Sequence, residues 1–181
     1  MTARPTKVWD APVRVLHLCF IIGVSAAWLT RHTPGNWHEW LGYGVLAAVL
    51  LRLIWGFVGP ASARFGSFIR GPHTTLAYVR ALRAGQARRY RGHNPLGAWM
   101  ILALLSLLLL ICLSGWLSTT DRYWGIAWVM DLHLYSSWAL LALIPLHVAG
   151  ALHASWKHRE NLIAAMIHGR KRAAKGTDQD V

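Results

Sequence analysis

The chain is short of the residues from which soluble enzymes build their surfaces and sites. Of 181 residues, 7 are Asp or Glu and only 14% carry charge, too few to clothe an ordinary globular domain of this length in solvated side chains. It has 2 cysteines, Cys19 and Cys112, both inside apolar runs. That excludes a disulfide framework and a cysteine-ligated iron–sulfur site, and both thiols are expected to be small buried hydrophobes. No C-x-x-C-H is present, so haem cannot be attached covalently through that motif. Flavin, nucleotide and metal-cluster motifs are missing as well, and no internal repeat or low-complexity tract occurs.

What the chain has is apolar length. It is 55% hydrophobic with a mean hydropathy of +0.33, and its apolar residues gather into runs long enough to cross a bilayer. The expected architecture is an all-α integral membrane four-helix bundle, one domain over residues 1–181. The helices are expected at about residues 13–31, 38–58, 95–118 and 131–156, with a loop over 59–94 and a basic tail over 157–181. The first run could be mistaken for a signal peptide. Its flank, however, holds Pro5, Asp10 and Pro12, its apolar part holds His17, and no A-x-A site precedes a polar mature domain. Within the loop, residues 72–84 set Leu76, Val79 and Leu82 on one side of a short interfacial helix. The tail is expected to be helical over 161–168 and then to fray.

The formal net charge of +12 would suggest nucleic acid in a soluble protein. Here the basic residues flank apolar runs, where orientation in the membrane explains them, and no nucleic-acid partner is expected. Three Lys or Arg precede residue 15, seven lie in 59–94 and six lie from Lys157 onward, whereas the other connections hold Arg31 and Arg122 alone. By the positive-inside rule both termini and the long loop face the cytoplasm. The tryptophans agree with this topology. Trp28, Trp37, Trp40, Trp116, Trp124 and Trp128 fall toward the outer interface, and Trp9, Trp55, Trp99 and Trp156 toward the inner one.

The last apolar run, residues 131–157, carries His133 and His147. Fourteen residues at about 100° each come within about 40° of four helical turns, so both imidazoles leave one face, roughly 21 Å apart along the axis. Ionisable groups at such depths are costly and by default functional, and imidazole is a haem-iron ligand. Given the topology, His17 lies near the inner side of the first helix and His38 near the outer start of the second. Two pairs result, His17 with His147 and His38 with His133, enough to hold two non-covalent b haems. Taken singly, each histidine could be a helix-packing or interfacial residue; the matching depths on three helices favour ligation. His32, His73, His93, His158 and His168 fall in loops or the tail and read as solvated or headgroup-facing, and His153 points away from the haem face. Pro145 removes a backbone hydrogen bond near His147 and can kink the helix there. Arg52 lies fourteen residues after His38, on the same face at the inner haem's level. Its guanidinium either binds a propionate of that haem or snorkels to the inner headgroups.

VWDAPVRVLH, the HEWLGY entry to the second helix, RLIWGFVGPASARFGSF, GHNPLGA, the two histidines of the last helix and NLIAAMIHGRK together resemble the bacterial cytochrome b561 family, which includes the b-type subunit of nickel–iron hydrogenases. The resemblance covers nearly the whole chain. It implies a four-helix di-haem electron carrier of the bacterial inner membrane that exchanges electrons with quinone, with ligands at His17, His38, His133 and His147. It assigns no role to GHNPLGA or to the basic tail.

The leading expectation is therefore electron transfer across the membrane between the quinone pool and a redox partner such as a cytochrome c or a dehydrogenase or hydrogenase subunit, with membrane lipid as surroundings. An alternative, also by resemblance, is a superoxide oxidase that passes electrons to ubiquinone. Steering an anion to the outer face would need positive charge there, and Arg31, His32 and Arg122 offer little. A non-redox ion or proton pathway lined by the same histidines would leave the protein colourless.

Overall fold

A computed structural model of the chain describes residues 6–173 and residue 178. The described elements are, in order, a strand β1 (Thr6–Lys7), helices α1 (Ala11–Thr30), α2 (Trp37–Val58), α3 (Phe65–Phe68), α4 (Pro72–Arg83), α5 (Pro95–Ser118), α6 (Ala127–His158) and α7 (Leu162–His168), and a strand β2 (Arg170–Lys171). Four of them, α1, α2, α5 and α6, are long and apolar enough to cross a membrane. Few of their side chains are buried, and Ile21, Ile22, Leu50, Leu51, Leu113 and Leu146 point outward. An apolar exterior of that kind is what lipid tails solvate. The protein is an integral membrane helical bundle. α6 starts at Ala127, a few residues before the expected Asp131.

The fold divides into two compact units, one made of Val15–Leu53 and Ala103–Pro145, the other of the described parts of Met1–Arg14, Ile54–Leu102 and Leu146–Val181. The first unit is helical. Val45, Val49, Leu108, Cys112 and Leu140 form its core, joined by half-buried Phe20, Val24 and Leu104. Helices α1 and α2 approach closely where Gly23 faces Val45: a Cβ there would lie 2.7 Å from a Val45 methyl. Cys112 is buried as expected, but Cys19 is exposed on α1, because the outward face of a membrane helix needs only to be apolar, not covered.

The second unit joins distant stretches of sequence. Asp10 accepts the Val13 amide on Oδ1 at 2.9 Å, capping the first turn of α1, and accepts the Trp55 indole N–H on Oδ2 at 2.9 Å. One carboxylate thus ties VWDAP to RLIWG. Gly56 lets the Phe65 ring pack directly on α2, since any Cβ would run into that ring. Strands β1 and β2 pair antiparallel, Thr6 with Lys171 and Lys7 with Arg170. The tail therefore does not fray directly after α7, and residues 174–177 and 179–181 lie outside the described residues. Gly169 caps that helix at φ 79°, and its carbonyl accepts the amides of Val8 and Trp9, which turns the chain into the strand. In α4 the buried residue is Tyr78, while Leu76 points outward; the expected apolar side of that helix is not the one facing the protein.

Candidate functional site

His38 and His133 lie in the same compact unit, with ring centres 6.0 Å apart and planes at 82°. Each ring is oriented by a backbone carbonyl. His38 Nδ1 lies 2.9 Å from the Ala27 carbonyl oxygen of α1, and His133 Nδ1 lies 2.9 Å from that of Ile111 in α5. A carbonyl only accepts, so both Nδ1 atoms carry the proton and both Nε2 atoms keep a lone pair for a metal. All four long helices contribute: α2 and α6 the imidazoles, α1 and α5 their orienting acceptors.

The two acceptors differ. Ala27 is in the last turn of α1, where carbonyls lack amide partners and sit at the negative end of the helix dipole. The Ile111 oxygen lies inside α5, where the helix ladder already uses it, and Ser114 Oγ donates to it as well at 3.1 Å. Each carbonyl is shared with a hydroxyl, since Thr30 Oγ1 donates to the Ala27 oxygen at 3.3 Å. On the other side of the His133 ring, a Cβ on Gly115 would lie 3.0 Å from Cε1 and 3.2 Å from Nδ1. α5 fits so closely against this imidazole that any Cβ there would make the ring give by a few tenths of an ångström. One turn beyond His38, Gly42 has nothing within 4 Å of where its Cβ would be. The residue pattern singles out both histidines but not the carbonyls beside them, because a backbone acceptor has no signature in residue type.

His17 is half-buried on α1 in this same unit, whereas His147, half-buried on α6, belongs to the other. Arg52 is 5% exposed; its side chain is covered by protein, which disfavours the snorkelling alternative. In the second unit His93 is not solvated as expected. Its ring lies 4.4 Å from that of Trp9 and 4.6 Å from that of Phe68, centre to centre. Its neighbour Gly92 accepts a hydrogen bond from Lys171 Nζ at 3.3 Å, and Asn94 Oδ1 accepts the Gly97 amide at 2.8 Å, capping α5. The GHNP stretch is a structural junction between the N-terminal segment, the loop and the tail. Beside it, Arg89 is bound to Glu160 by paired hydrogen bonds of 2.8 and 3.2 Å and also to Asp178.

Among the described residues no three or more His, Cys, Asp or Glu gather around a point. A helical membrane protein with paired imidazoles in its apolar interior falls in the class of membrane b-type cytochromes. The chain matches the prokaryotic cytochrome b561 family over residues 8–169, and it belongs to that family. It is also similar to a Rhizobium leguminosarum bv. viciae protein named Probable Ni/Fe-hydrogenase B-type cytochrome subunit, with 26% identity covering 91% of this chain and 87% of the relative. Membership makes haem b the cofactor and electron transport in the membrane the activity. The residues fit such a group: His38 and His133 would hold its iron through Nε2, since their ring centres are 6.0 Å apart and both Nδ1 atoms are engaged by carbonyls.

Proposed function

We propose that the chain carries electrons between the membrane quinone pool and a redox protein partner through two b haems, each held by two histidines. His38 and His133 hold the haem nearer the outer face, and His17 and His147 the one nearer the cytoplasm. The observation that carries this reading is the His38–His133 pair, with its 6.0 Å spacing and its two Nδ1 atoms committed to carbonyls. When bound, haem b supplies one-electron iron chemistry. The chain supplies the rest. Nδ1–H donation to a carbonyl fixes each tautomer and raises the basicity of Nε2, which sets how strongly the oxidised iron is favoured. The apolar core around Val49 and Leu108 keeps water away. His147 follows His133 by fourteen residues on one helix, about 21 Å along its axis, so the second pair carries the electron further through the bilayer. Buried Arg52 follows His38 by fourteen residues on α2, about 21 Å along the helix axis, and its fork of donors would suit a propionate of the second haem.

Both termini and the loop between α2 and α5 face the cytoplasm of a bacterial inner membrane, by the excess of Lys and Arg there. The partner is a membrane redox enzyme subunit, such as a hydrogenase or dehydrogenase, or a cytochrome c. A pyridine haemochrome assay on the purified protein should return about two non-covalent b haems per chain, since four histidines supply two axial ligands to each of two irons. One haem or none, after expression with ample haem, would overturn the assignment.

A further inference from the structure

The carboxyl end of α6 closes in an unusual way. Glu160 N donates to Ser155 O at 3.0 Å and Arg159 N donates to Trp156 O at 3.2 Å, the bond pattern of a Schellman closure. The left-handed position in such a closure is normally a glycine, because a Cβ there crowds the following carbonyl. Here it is Arg159, at φ 49°. The equivalent position after α7 is held by Gly169. An arginine where glycine would fit without strain points to a use for its guanidinium.

Arg159 lines an open cavity of about 410 Å³ at the foot of α6. Arg88, Arg89, Lys157, Arg159 and Arg172 line it together with His158, and Asp178 is the one carboxylate on its wall. Arg89 is buried, at 6% exposure, and already engaged with Glu160 and Asp178. Among the described residues no carboxylate makes a salt bridge to Arg88, Lys157, Arg159 or Arg172, and Arg88, Arg159 and Arg172 are exposed. Cations brought together without counter-charges repel one another unless an anion joins them. Arginine forks favour phosphate oxygens above other anions.

The place of the cavity selects the source of the phosphate. α6 is a candidate membrane span, and it ends at His158, inside this lining. Trp156, two residues earlier, is 81% exposed, as an indole is when it marks the depth where acyl chains give way to headgroups. We propose that the cavity is a headgroup site for an anionic phospholipid of the surrounding membrane, with Arg88, Arg159 and Arg172 as its phosphate ligands.

Arg159→Gly tests this without endangering the fold, because glycine relieves the backbone strain while deleting the charge. Detergent-purified, haem-loaded full-length protein would be titrated with short-chain phosphatidylglycerol, with phosphatidylcholine and with inorganic pyrophosphate. Wild type should prefer phosphatidylglycerol to phosphatidylcholine. Arg159→Gly should lose about fivefold of that preference at unchanged or raised thermal stability, and Arg88→Gln and Arg172→Gln about as much each. Equal lipid preference in wild type and the triple variant would overturn the proposal. So would tight pyrophosphate binding with no discrimination between the lipids, which would reassign the cavity to a soluble anion.

Discussion

Gly115 decides how His133 is held. With a Cβ at 3.0 Å from Cε1, the imidazole in a Gly115→Ala variant must tilt away from α5 and weaken its bond to the Ile111 carbonyl. A less strongly donating Nδ1–H makes a less basic ligand, which favours reduced iron. The midpoint potential of the haem at His133 should rise, by up to about 59 mV if ferric affinity falls tenfold, while the other haem stays put. Spectroelectrochemical titration reads both, and two unmoved midpoints would show that the glycine serves packing alone. The opposite sign is expected at Arg52. A buried cation near a haem favours its reduced state, so Arg52→Gln should lower one midpoint, that of the haem held by His17 and His147, and leave the His38–His133 midpoint in place. Two midpoints equal to those of wild type, with both haems retained, would return Arg52 to a role in helix packing.

At the scale of elements, the spans and the pieces between them differ in what the sequence discloses. The spans are legible because an apolar run of about 20 residues has few other uses, and Pro12 and the Gly59–Pro60 pair mark a beginning and an end. The histidine spacing on α6 is legible because helical geometry is fixed. The β1–β2 pair is not: two residues opposite two, more than 160 positions apart, leave no period to detect. Nor does the pattern of α4 reveal that Tyr78 rather than Leu76 faces inward, since one side of that helix adjoins apolar surroundings instead of water. The junction that these short elements form makes its own predictions. Paired hydrogen bonds from Arg89 hold the Glu160 carboxyl below its usual range, although burial, the largest single influence, pushes it up. Truncating one member of a buried pair costs about 3–5 kcal/mol, so Glu160→Ala should release β2 and expose residues 170–172 to trypsin while the spans persist. Uncleaved protein would contradict this.

Lys171 in β2 adds a pH dependence. Burial pushes its ammonium from an ordinary 10.5 down to about 8, against attraction from Glu160. Because the folded value lies below the unfolded one, the unfolded chain holds more protons between about pH 8 and 10.5, and stability rises with pH across that window. Relative to Lys171→Met, whose side chain cannot titrate, wild type should gain thermal stability from pH 8 to pH 10. Parallel unfolding midpoints for the two proteins would show that this lysine keeps its ordinary protonation.

Over the whole molecule, the proposed electron path has two cofactor levels, with α6 contributing a ligand to each. The His38–His133 level is the better defined, its rings 6.0 Å apart within one compact unit; the pairing of His17 with His147 rests on helix positions and membrane orientation. The most direct test is optical redox titration of four single variants, His17→Ala, His38→Ala, His133→Ala and His147→Ala, each purified with its remaining haem. Two classes of spectra are expected: the His38 and His133 variants lose one and the same component, and the His17 and His147 variants lose the other. If the His17 and His38 variants lose the same component instead, the pairing and the topology behind it are wrong.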